Sequence, residues 1–266
     1  MSRHVVITGA SEGIGRACAE EFAREGASIA LCARRSKPLS NMADRLKVLG
    51  AKRVIARSLD VSDKSELAGF AQQVLSEFQR VDVLVNNAGG GGPGRALELD
   101  DAACEADWHY AFQVNLMAPL RLVRGFAESI CAAKGVVINV SSAWSRSPLV
   151  FTPPSYAATK AGLNVLTHEL AQDLGPRGVR VVGVAPGPVW TESWDRDAME
   201  DAKSTGRSVD DVRSSTFAEV GASTKLGRPG TPEESASLIT FLASPKASFV
   251  TGTTVIADGG YLRSIP

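Results

Sequence analysis

Short runs of β-branched residues alternate with segments of helical period along almost the whole chain, and this alternation limits the fold more than any other feature. It predicts an α/β fold with a doubly wound parallel sheet of about seven strands and helices on both faces. No repeat or linker interrupts the pattern, so we expect residues 1–266 to form one domain. The expected strands are 4–8, 28–33, 53–59, 81–86, 135–141, 179–185 and 252–257.

Three irregular regions follow expected strands and are the candidate ligand-binding regions. In open α/β sheets, ligands bind beyond the carboxyl ends of the strands. The regions are a glycine-rich stretch at 89–95, a loop at 143–155 and a polar, predominantly acidic segment at 191–226. We expect residues 190–226 to form one or two short amphipathic helices that act as a substrate lid.

Composition excludes several classes of function. The 29 basic and 29 acidic side chains give a formal net charge of zero, which disfavours nucleic acid and anionic membranes as partners. No stretch reaches the ~18 apolar residues of a membrane span, and a strand-like run directly follows Met1, so we expect a cytoplasmic protein without a leader. The four cysteines form no paired motif and the three histidines are isolated, so we expect free thiols and no metal site.

A glycine-rich segment links the first strand to a helix, in the sequence Thr8-Gly-Ala-Ser-Glu-Gly-Ile-Gly15. Glycines at such a turn let the backbone approach a dinucleotide pyrophosphate at the helix N-terminus. An ordinary strand-to-helix turn is the alternative, although the strand, turn, helix and strand order favours a cofactor. The expected cofactor contacts here are Gly9, Ser11, Gly13, Ile14 and Gly15.

The end of the second strand indicates which dinucleotide is bound. A carboxylate at this place would bind the ribose 2′-hydroxyl of NAD, but the chain has Arg34 and Arg35 and no acid before Asp44. The two cations suit a 2′-phosphate, so NADP(H) is preferred and NAD(H) remains possible. Glu12 argues against this preference, because its carboxylate could lie near that phosphate. Alternatively, the two arginines are ordinary solvated side chains at the end of the strand.

Tyr156 and Lys160 stand four residues apart in a helix-forming run, which places both side chains on one helix face. An ordinary tyrosine has a pKa near 10, so acid-base work near neutral pH needs positive charge close by. A lysine ammonium group ~5 Å away would stabilise the deprotonated tyrosine by about 3 kcal/mol at an effective dielectric constant of ~20. Alone, the pair is weak evidence, because a surface pair has the same spacing.

A co-linear set of further motifs accompanies this pair, and with them the chain resembles the short-chain dehydrogenase/reductase family. The resemblance covers nearly all of the chain. It implies a single Rossmann-type domain that assembles as a homotetramer or dimer. The motifs are the glycine segment 8–15, Asp60-Val61, Asn86-Asn87-Ala88-Gly89, Asn115, Ser142, Tyr156 with Lys160, Pro186-Gly187, and Asp258-Gly259-Gly260.

The resemblance also implies roles for individual residues. Tyr156 would exchange the proton of the carbonyl group, and Ser142 would hydrogen-bond the reacting oxygen. Lys160 would lower the pKa of the tyrosine and bind the nicotinamide ribose, while Asn115 would support a water chain to solvent. Further cofactor contacts implied by the family are Asp60, Val61, Asn87, Ala88, Gly89, Pro186, Gly187, Val189 and Thr191.

The serine assignment rests on a spacing that departs from the family. Ser142 precedes Tyr156 by one residue more than expected, so Ser141 is a rival for the serine role. We expect the extra residue in the loop 143–155, where Pro148, Pro153 and Pro154 restrict the backbone.

The substrate is less clearly indicated than the reaction. Trp144, Phe151, Trp190 and Trp194 are the expected pocket residues, although they could equally be core or interface. A 3-oxoacyl carrier-protein reductase is an alternative reading. Arg177 matches one basic position that would meet the carrier protein, but Ala133 stands at the second, and the acidic lid would repel an acidic partner. We therefore expect NADP-dependent reduction of a small or medium carbonyl compound, or oxidation of its alcohol. A non-catalytic NADP-binding regulator is the alternative from another class.

Overall fold

The structure is a computed structural model that describes residues 2–91, 100–148 and 152–263. Within these ranges the strands form one seven-stranded sheet in the order β3-β2-β1-β4-β5-β6-β7, and every pair of neighbours is parallel. The predicted doubly wound sheet is thus confirmed. The strands are β1 His4–Thr8, β2 Ser28–Ala33, β3 Arg53–Ser58, β4 Val83–Asn86, β5 Val136–Val140, β6 Arg180–Pro186 and β7 Thr254–Ala257.

The predicted strand ends differ from the observed ends by at most two residues. β4 begins at Val83 rather than 81, because the N–H of Val81 donates to the Ser129 hydroxyl instead of a neighbouring strand. β7 begins at Thr254 rather than 252, because Gly252 adopts a left-handed φ of 70° that a strand does not allow. The other differences are single residues at the ends of β3, β5 and β6.

Helices flank the sheet, and two of them begin at residues whose side chains cap the first turn. Asp63 caps α3 by accepting from the N–H groups of Ser65 and Glu66, and Thr231 forms a reciprocal capping box with Glu234 at α9. A π-helical turn, Gln113–Met117, joins α4 to α5. The helices are α1 Gly13–Arg24, α2 Ser36–Val48, α3 Lys64–Phe78, α4 Asp101–Phe112, α5 Ala118–Ala133, α6 Pro154–Leu174, α7 Glu192–Thr205, α8 Val209–Ser223 and α9 Pro232–Leu242.

Two apolar layers cover the faces of the sheet. α1, α2 and α9 supply one layer, in which Phe22 is fully buried, and α3, α5 and α6 supply the other, which contains Phe70 and Phe126. This double coverage explains why the strands are apolar on both faces. None of the helices in the described part of the chain is long and apolar enough to cross a membrane.

The order of the sheet brings distant segments to one edge. The chain moves outward from β1 through β2 to β3, and then returns to continue through β4 on the other side of β1. The loops after β1 and β4 therefore separate and leave a crevice at their carboxyl ends, where α/β proteins bind ligands. The segments that follow β2, β5 and β6 begin at this same edge, because all the strands are parallel.

Candidate active site

The segment between β1 and α1 is a tight loop that depends on its glycines. Gly9 and Gly13 have left-handed φ values of 67° and 56°. A Cβ atom on Gly15 would clash with the carbonyl oxygen of Gly9, so the loop closes onto the first turn of α1 only with glycine there. The side chain of Glu12, which precedes α1, makes no capping bond to the helix. The Gly13 N–H at this helix end instead donates to the Glu192 carboxylate at 2.9 Å, and free N–H groups at a helix N-terminus can bind an anion.

Asn87 fixes the loop against the end of β4. Its amide Nδ2 donates to the carbonyl oxygens of Thr8 and Gly9, at 2.9 and 3.1 Å. The hydroxyl of Thr8 in turn accepts from the backbone N–H groups of Asn87 and Ala88. These bonds join the two loops of the crevice. The Asn87 amide nitrogen therefore has a structural role in holding the glycine loop in place.

Two cavities adjoin the loop, and Glu12, Asn87 and Gly89 line both of them. The first, here called the loop cavity, has a volume of about 650 Å³; its other lining residues are Gly9, Ser11, Ala33, Arg34, Arg35, Leu59, Asp60, Val61, Ala88, Tyr110, Val114 and Arg196. The second, here called the tyrosine cavity, has about 280 Å³; its other lining residues are Gly13, Ile14, Val140, Ser141, Ser142, Trp144, Tyr156, Lys160, Pro186, Gly187, Pro188, Val189, Thr191, Ser193 and Trp194.

Every cofactor residue expected from the sequence lines one of these two cavities, with the exception of Gly15. Gly15 lies against the carbonyl oxygen of Gly9 within the loop. One carboxylate oxygen of Asp60 accepts from both the N–H and the hydroxyl of Ser62, at 2.8 Å each. The two cavities with their shared wall, the glycine loop between them and the exposed arginines fit an extended dinucleotide with an anionic centre.

Charged groups surround the loop cavity. Arg34 donates to the hydroxyl of Tyr110 at 2.9 Å, and Arg35 forms an ion pair with Glu12. Arg196, from α7, forms a two-pronged ion pair with the same carboxylate, with both distances at 2.8 Å. These hydrogen bonds, from Arg196 first and then from Arg35, hold the pKa of Glu12 below its usual value. Glu12 is therefore ionised and fully engaged by two arginines.

Tyr156 and Lys160 lie on one face of α6, as their spacing predicts, and both line the tyrosine cavity. The Lys160 ammonium is 5.7 Å from the centre of the Tyr156 ring and donates to the Val140 carbonyl oxygen at 2.7 Å. Lys160 is only 2% exposed. The close approach of Gly89 permits this arrangement, because a Cβ there would lie 2.9 Å from the lysine nitrogen.

Burial sets the pKa values of this pair. It lowers the pKa of Lys160 to about 8, because the charged form loses its hydration. It raises the pKa of Tyr156, and a hydrogen bond with the Ser142 side chain partly offsets that rise. The family resemblance implies that the lysine lowers the tyrosine pKa. In this structure the lysine bonds to a carbonyl oxygen, and burial raises the pKa of Tyr156.

The two candidate serines have different partners. The Ser141 hydroxyl donates to the backbone carbonyl of Lys160 at 3.1 Å and so ties β5 to α6. The Ser142 hydroxyl accepts from the N–H of Trp144 and is close enough to the Tyr156 phenol to offset part of the rise in its pKa. This geometry favours Ser142 for contact with a reacting oxygen. The position of the extra residue within 143–155 is not assigned, since 149–151 lie outside the described residues.

Asn115 lies in the π-helical turn and is fully buried. Its Oδ1 accepts from the Gly90 N–H at 3.1 Å, while its Nδ2 donates to the Gly90 carbonyl at 2.7 Å and to the Thr159 hydroxyl at 2.9 Å. Asn115 therefore holds the backbone beside Tyr156. Its role in a proton path stays a prediction.

The expected pocket aromatics fall into two groups. Trp144 packs edge-on against Tyr156, with ring centres 6.2 Å apart, and lines the tyrosine cavity together with Trp194. Trp190 lines neither the loop cavity nor the tyrosine cavity; it packs against Trp194 and Phe217 instead. Phe151 lies outside the described residues.

The lid segment consists of two helices, α7 and α8, at the upper end of the predicted range of one or two. With Trp144 and Trp194 they enclose a mainly apolar space of about 600 Å³, here called the lid cavity. Its remaining lining residues are Pro153, Pro188, Asp197, Ala198, Asp201, Val212, Thr216, Glu219, Val220 and Ser223. Whether the helices open and close over a substrate is a prediction.

Three residues of this site are not predicted from the sequence: Tyr110, Glu192 and Arg196. Glu192 accepts from the Gly13 N–H at 2.9 Å, and Arg196 binds Glu12 one helical turn later. Neither residue belongs to a motif with a fixed spacing, and both lie far along the chain from the glycine loop. The excess of acids in the lid was the one available signal, and it did not single them out.

Comparisons with known proteins agree with this geometry. A family profile described as Enoyl-(Acyl carrier protein) reductase matches residues 9–262. L-2,3-butanediol dehydrogenase from Corynebacterium glutamicum is 32% identical over 268 residues, which cover 98% of this chain and 99% of the relative. L-sorbose reductase from Gluconobacter frateurii, solved with NADPH and L-sorbose, is 33% identical, with a TM-score of 0.91 over 99% of this chain and 98% of that chain.

A third relative was solved with the other dinucleotide. The 3-oxoacyl-[acyl-carrier protein] reductase from Brucella melitensis, with bound NAD, is 29% identical, with a TM-score of 0.82 over 98% of this chain and 91% of that chain. With the profile match, the relatives and the seven-stranded sheet in agreement, the chain belongs to the short-chain dehydrogenase/reductase family and is an oxidoreductase that transfers hydride between an NAD(P) cofactor and a carbonyl or alcohol substrate.

Proposed function

We propose that this protein is an NADP(H)-preferring carbonyl reductase that acts on small or medium uncharged carbonyl compounds, or on the corresponding alcohols. The proposal rests on one observation: Ser142, Tyr156 and Lys160 line the same cavity, and this cavity shares part of its wall with the loop cavity. Proton exchange and dinucleotide binding thus have adjoining sites on one edge of the sheet.

The residues of the tyrosine cavity divide the work of carbonyl reduction. The bound cofactor supplies the hydride. The Tyr156 hydroxyl donates a proton to the carbonyl oxygen, and the raised pKa keeps this hydroxyl protonated at neutral pH. The Ser142 hydroxyl, which lines the same cavity, donates a hydrogen bond to the same oxygen as negative charge develops there.

Lys160 supplies positive charge beneath the tyrosine. With a pKa of about 8 it is mostly protonated at neutral pH. One of its three N–H donors binds the Val140 carbonyl, which leaves donors for the hydroxyls of a nicotinamide ribose. In alcohol oxidation the same charge stabilises the tyrosinate that takes up the alcohol proton.

The preference for NADP(H) rests on the charges around the loop cavity. Arg34 and Arg35 line it, and Asp60 is the carboxylate at the end of β3 rather than of β2. Because Arg35 and Arg196 both pair with Glu12, their positive charges offset its negative charge near a 2′-phosphate. One charge-assisted hydrogen bond of about 1.5 kcal/mol would give a preference of roughly 10-fold for NADP(H) over NAD(H).

The lid cavity supports an uncharged substrate. Its walls are mainly apolar, and the charged residues that line it are the acids Asp197, Asp201 and Glu219. These carboxylates would repel anionic substrates and an acidic carrier protein. Arg177, the one basic residue that matches a carrier-protein contact, is already ion-paired with Glu128. Two of the relatives described above are named for uncharged polyols or sugars.

We further propose that the chain is one catalytic domain with residues 190–226 as its substrate lid, and that it forms a homodimer or homotetramer. Large apolar side chains are exposed at Trp108, Phe112, Val165, Phe241 and Phe249, and burial between subunits would remove them from water. Sedimentation as a monomer would refute the oligomer. The four free cysteines fit the cytoplasmic location predicted from the sequence.

The test is to follow the absorbance of reduced nicotinamide while the purified protein meets NADPH, and then NADH, with a panel of ketones, diketones, sugars, steroids and acyl thioesters. We expect oxidation with uncharged carbonyl compounds, at a higher kcat/KM with NADPH. Faster turnover of acyl thioesters than of all other classes would overturn the substrate proposal. Saturable NADPH binding without turnover of any class would favour the regulator.

A further inference from the structure

Arg196 lines the loop cavity, although none of the family motifs includes it. It belongs to α7, the first lid helix, and yet it lines the cavity together with Arg34 and Arg35. The chain between the glycine loop and α7 runs through almost the whole sheet. A contact between them thus joins the cofactor crevice to the substrate lid.

Glu12 brings two guanidinium groups together at this point. Its Oε2 accepts from both Arg35 and Arg196, and its Oε1 accepts from Arg196 at 2.8 Å. Two guanidinium groups that share one carboxylate oxygen lie side by side. The carboxylate is largely shielded, with 27% of its side chain exposed, whereas the arginine side chains are 45% and 46% exposed.

The charge of the cluster favours a further anion. Three arginines, Arg34, Arg35 and Arg196, and two carboxylates, Glu12 and Asp60, line the loop cavity, so these side chains carry a net charge of +1. A guanidinium has five N–H donors, of which the paired contact with Glu12 uses two in Arg196. The remaining donors are available to a phosphate, which arginine binds with planar, directional bonds.

We propose that Arg196 is a specificity-determining residue for the cofactor, and that it binds the adenosine 2′-phosphate of NADP(H) from the lid side while Glu12 holds its guanidinium in place. This inference rests on the NADP(H) preference under Proposed function. It assigns Glu12, which looked unfavourable for NADP(H) in the sequence, as a positioning residue for two phosphate-binding cations. It also predicts that the lid contributes directly to cofactor choice.

The test measures binding of cofactor fragments, so that it does not depend on turnover. The probes are adenosine 2′,5′-bisphosphate and adenosine 5′-monophosphate, titrated calorimetrically into the full-length protein. The variants are Arg196→Gln and, as a matched control, Arg213→Gln. Arg213 is also a lid arginine, and its partners are Asp195 and Asp210 in the lid itself.

We expect Arg196→Gln to weaken binding of the bisphosphate about 10-fold and of the monophosphate less than about 2-fold, because one charge-assisted contact to the 2′-phosphate is lost. Arg213→Gln should change neither by more than about 2-fold. Equal weakening of both probes by Arg196→Gln would overturn the proposal, since a purely structural latch of the lid affects them alike. No change for either probe would also overturn it.

Two further measurements separate the possible failures. If the wild-type protein binds both probes equally, the NADP(H) preference fails and the role of Arg196 fails with it. If the wild-type protein prefers the bisphosphate and Arg196→Gln keeps that preference, the role of Arg196 alone is wrong. In a Glu12→Gln background, Arg196→Gln should have a smaller effect on the bisphosphate than in the wild type, because Glu12 no longer holds the guanidinium. An equal effect would refute the positioning role of Glu12.

Discussion

The carboxylate of Glu192 accepts a hydrogen bond from the backbone N–H of Gly13 at 2.9 Å, so a side chain of the lid caps the first turn of α1. The second carboxylate oxygen is 2.9 Å from the Arg16 guanidinium, which fixes the side chain there. The N-terminus of a helix carries partial positive charge and unpaired N–H groups, which is why it binds pyrophosphate in this class of fold. A pyrophosphate bound at this helix end would therefore compete with Glu192 for the Gly13 N–H.

We therefore expect Glu192→Gln to tighten dinucleotide binding. The change removes one negative charge beside the expected pyrophosphate site. For a partly exposed group, we expect the binding free energy to improve by about 1 kcal/mol, which equals roughly a 5-fold lower Kd. The measurement is a fluorescence titration with NADPH. Glu200→Gln is the control, because it removes the same charge from an exposed position on α7. An unchanged or higher Kd in Glu192→Gln would show that Glu192 does not compete with the cofactor.

Tyr156→Phe tests the proton transfer step. The variant keeps the aromatic ring, and hence its packing against Trp144, but loses the hydroxyl. We expect kcat for carbonyl reduction to fall by about 10²- to 10⁴-fold, while the Kd for NADPH changes less than about 3-fold. Steady-state kinetics and a binding titration on the same preparation provide both numbers. Undiminished turnover would refute the role of Tyr156.

The two adjacent serines allow a paired test. Ser142→Ala removes the hydroxyl proposed to hydrogen-bond the reacting oxygen beside Tyr156, and we expect kcat/KM to fall by roughly 10- to 100-fold. Ser141→Ala removes the bond to the Lys160 carbonyl, and we expect about 1 kcal/mol of lost stability with kcat/KM within about 3-fold of wild type. Kinetics and urea unfolding of both variants decide the assignment, which is reversed if Ser141→Ala is the more damaging to kcat/KM.

The sequence predicts most of the fold because the deciding interactions are local. β-branched runs, the glycines of the loop and the capping residues Asp63 and Thr231 act within a few residues of their own positions. The spacing of Tyr156 and Lys160 likewise fixes their common helix face. Strand ends were less exact, since the start of β4 depends on a bond from Val81 to Ser129, on a different element.

What the sequence did not predict depends on contacts between distant segments. The ion pair of Arg196 with Glu12 joins residues that no spacing rule connects, and the positioning role proposed for Glu12 depends on it. The orientation of Trp190 depends on the packing of α7 against α8. The pKa direction of Tyr156 depends on burial, which periodicity does not reveal.

Asn139 and Asn86 form a buried bridge between β5 and β4, and we expect it to be important for stability. Asn139 accepts from the Asn86 amide at 2.8 Å and donates to the Thr167 hydroxyl at 2.9 Å. Asn139→Leu leaves the Asn86 amide buried without this acceptor, so the free energy of unfolding should fall by about 2 to 4 kcal/mol.

The double variant Asn86→Leu with Asn139→Leu is the control for this bridge. Because it removes both partners, its loss of stability should be smaller than the sum of the two single losses. Urea unfolding of the three variants and the wild type provides the comparison. Additive losses would show that the two amides do not depend on each other.

The depressed pKa of Lys160 predicts how stability depends on pH. Its pKa is about 8 in the folded protein against 10.5 for an ordinary lysine, so between these values the unfolded chain binds more protons than the folded one. The free energy of unfolding should therefore rise with pH in this window. Relative to Lys160→Met, which lacks the titrating group, we expect wild type to gain about 2 kcal/mol between pH 8 and pH 10.

Urea unfolding of wild type, Lys160→Met and the exposed-site control Lys246→Met at several pH values measures this difference. Because both lysine variants keep every cysteine and tyrosine, the other groups that titrate in this range cancel in the comparison. The curves of wild type and Lys246→Met should run parallel, whereas that of Lys160→Met should diverge from them. If all three curves are parallel from pH 8 to pH 10, Lys160 titrates at the same pH in the folded and unfolded states. Its burial beneath Tyr156 would then carry no cost of desolvation for the charged form.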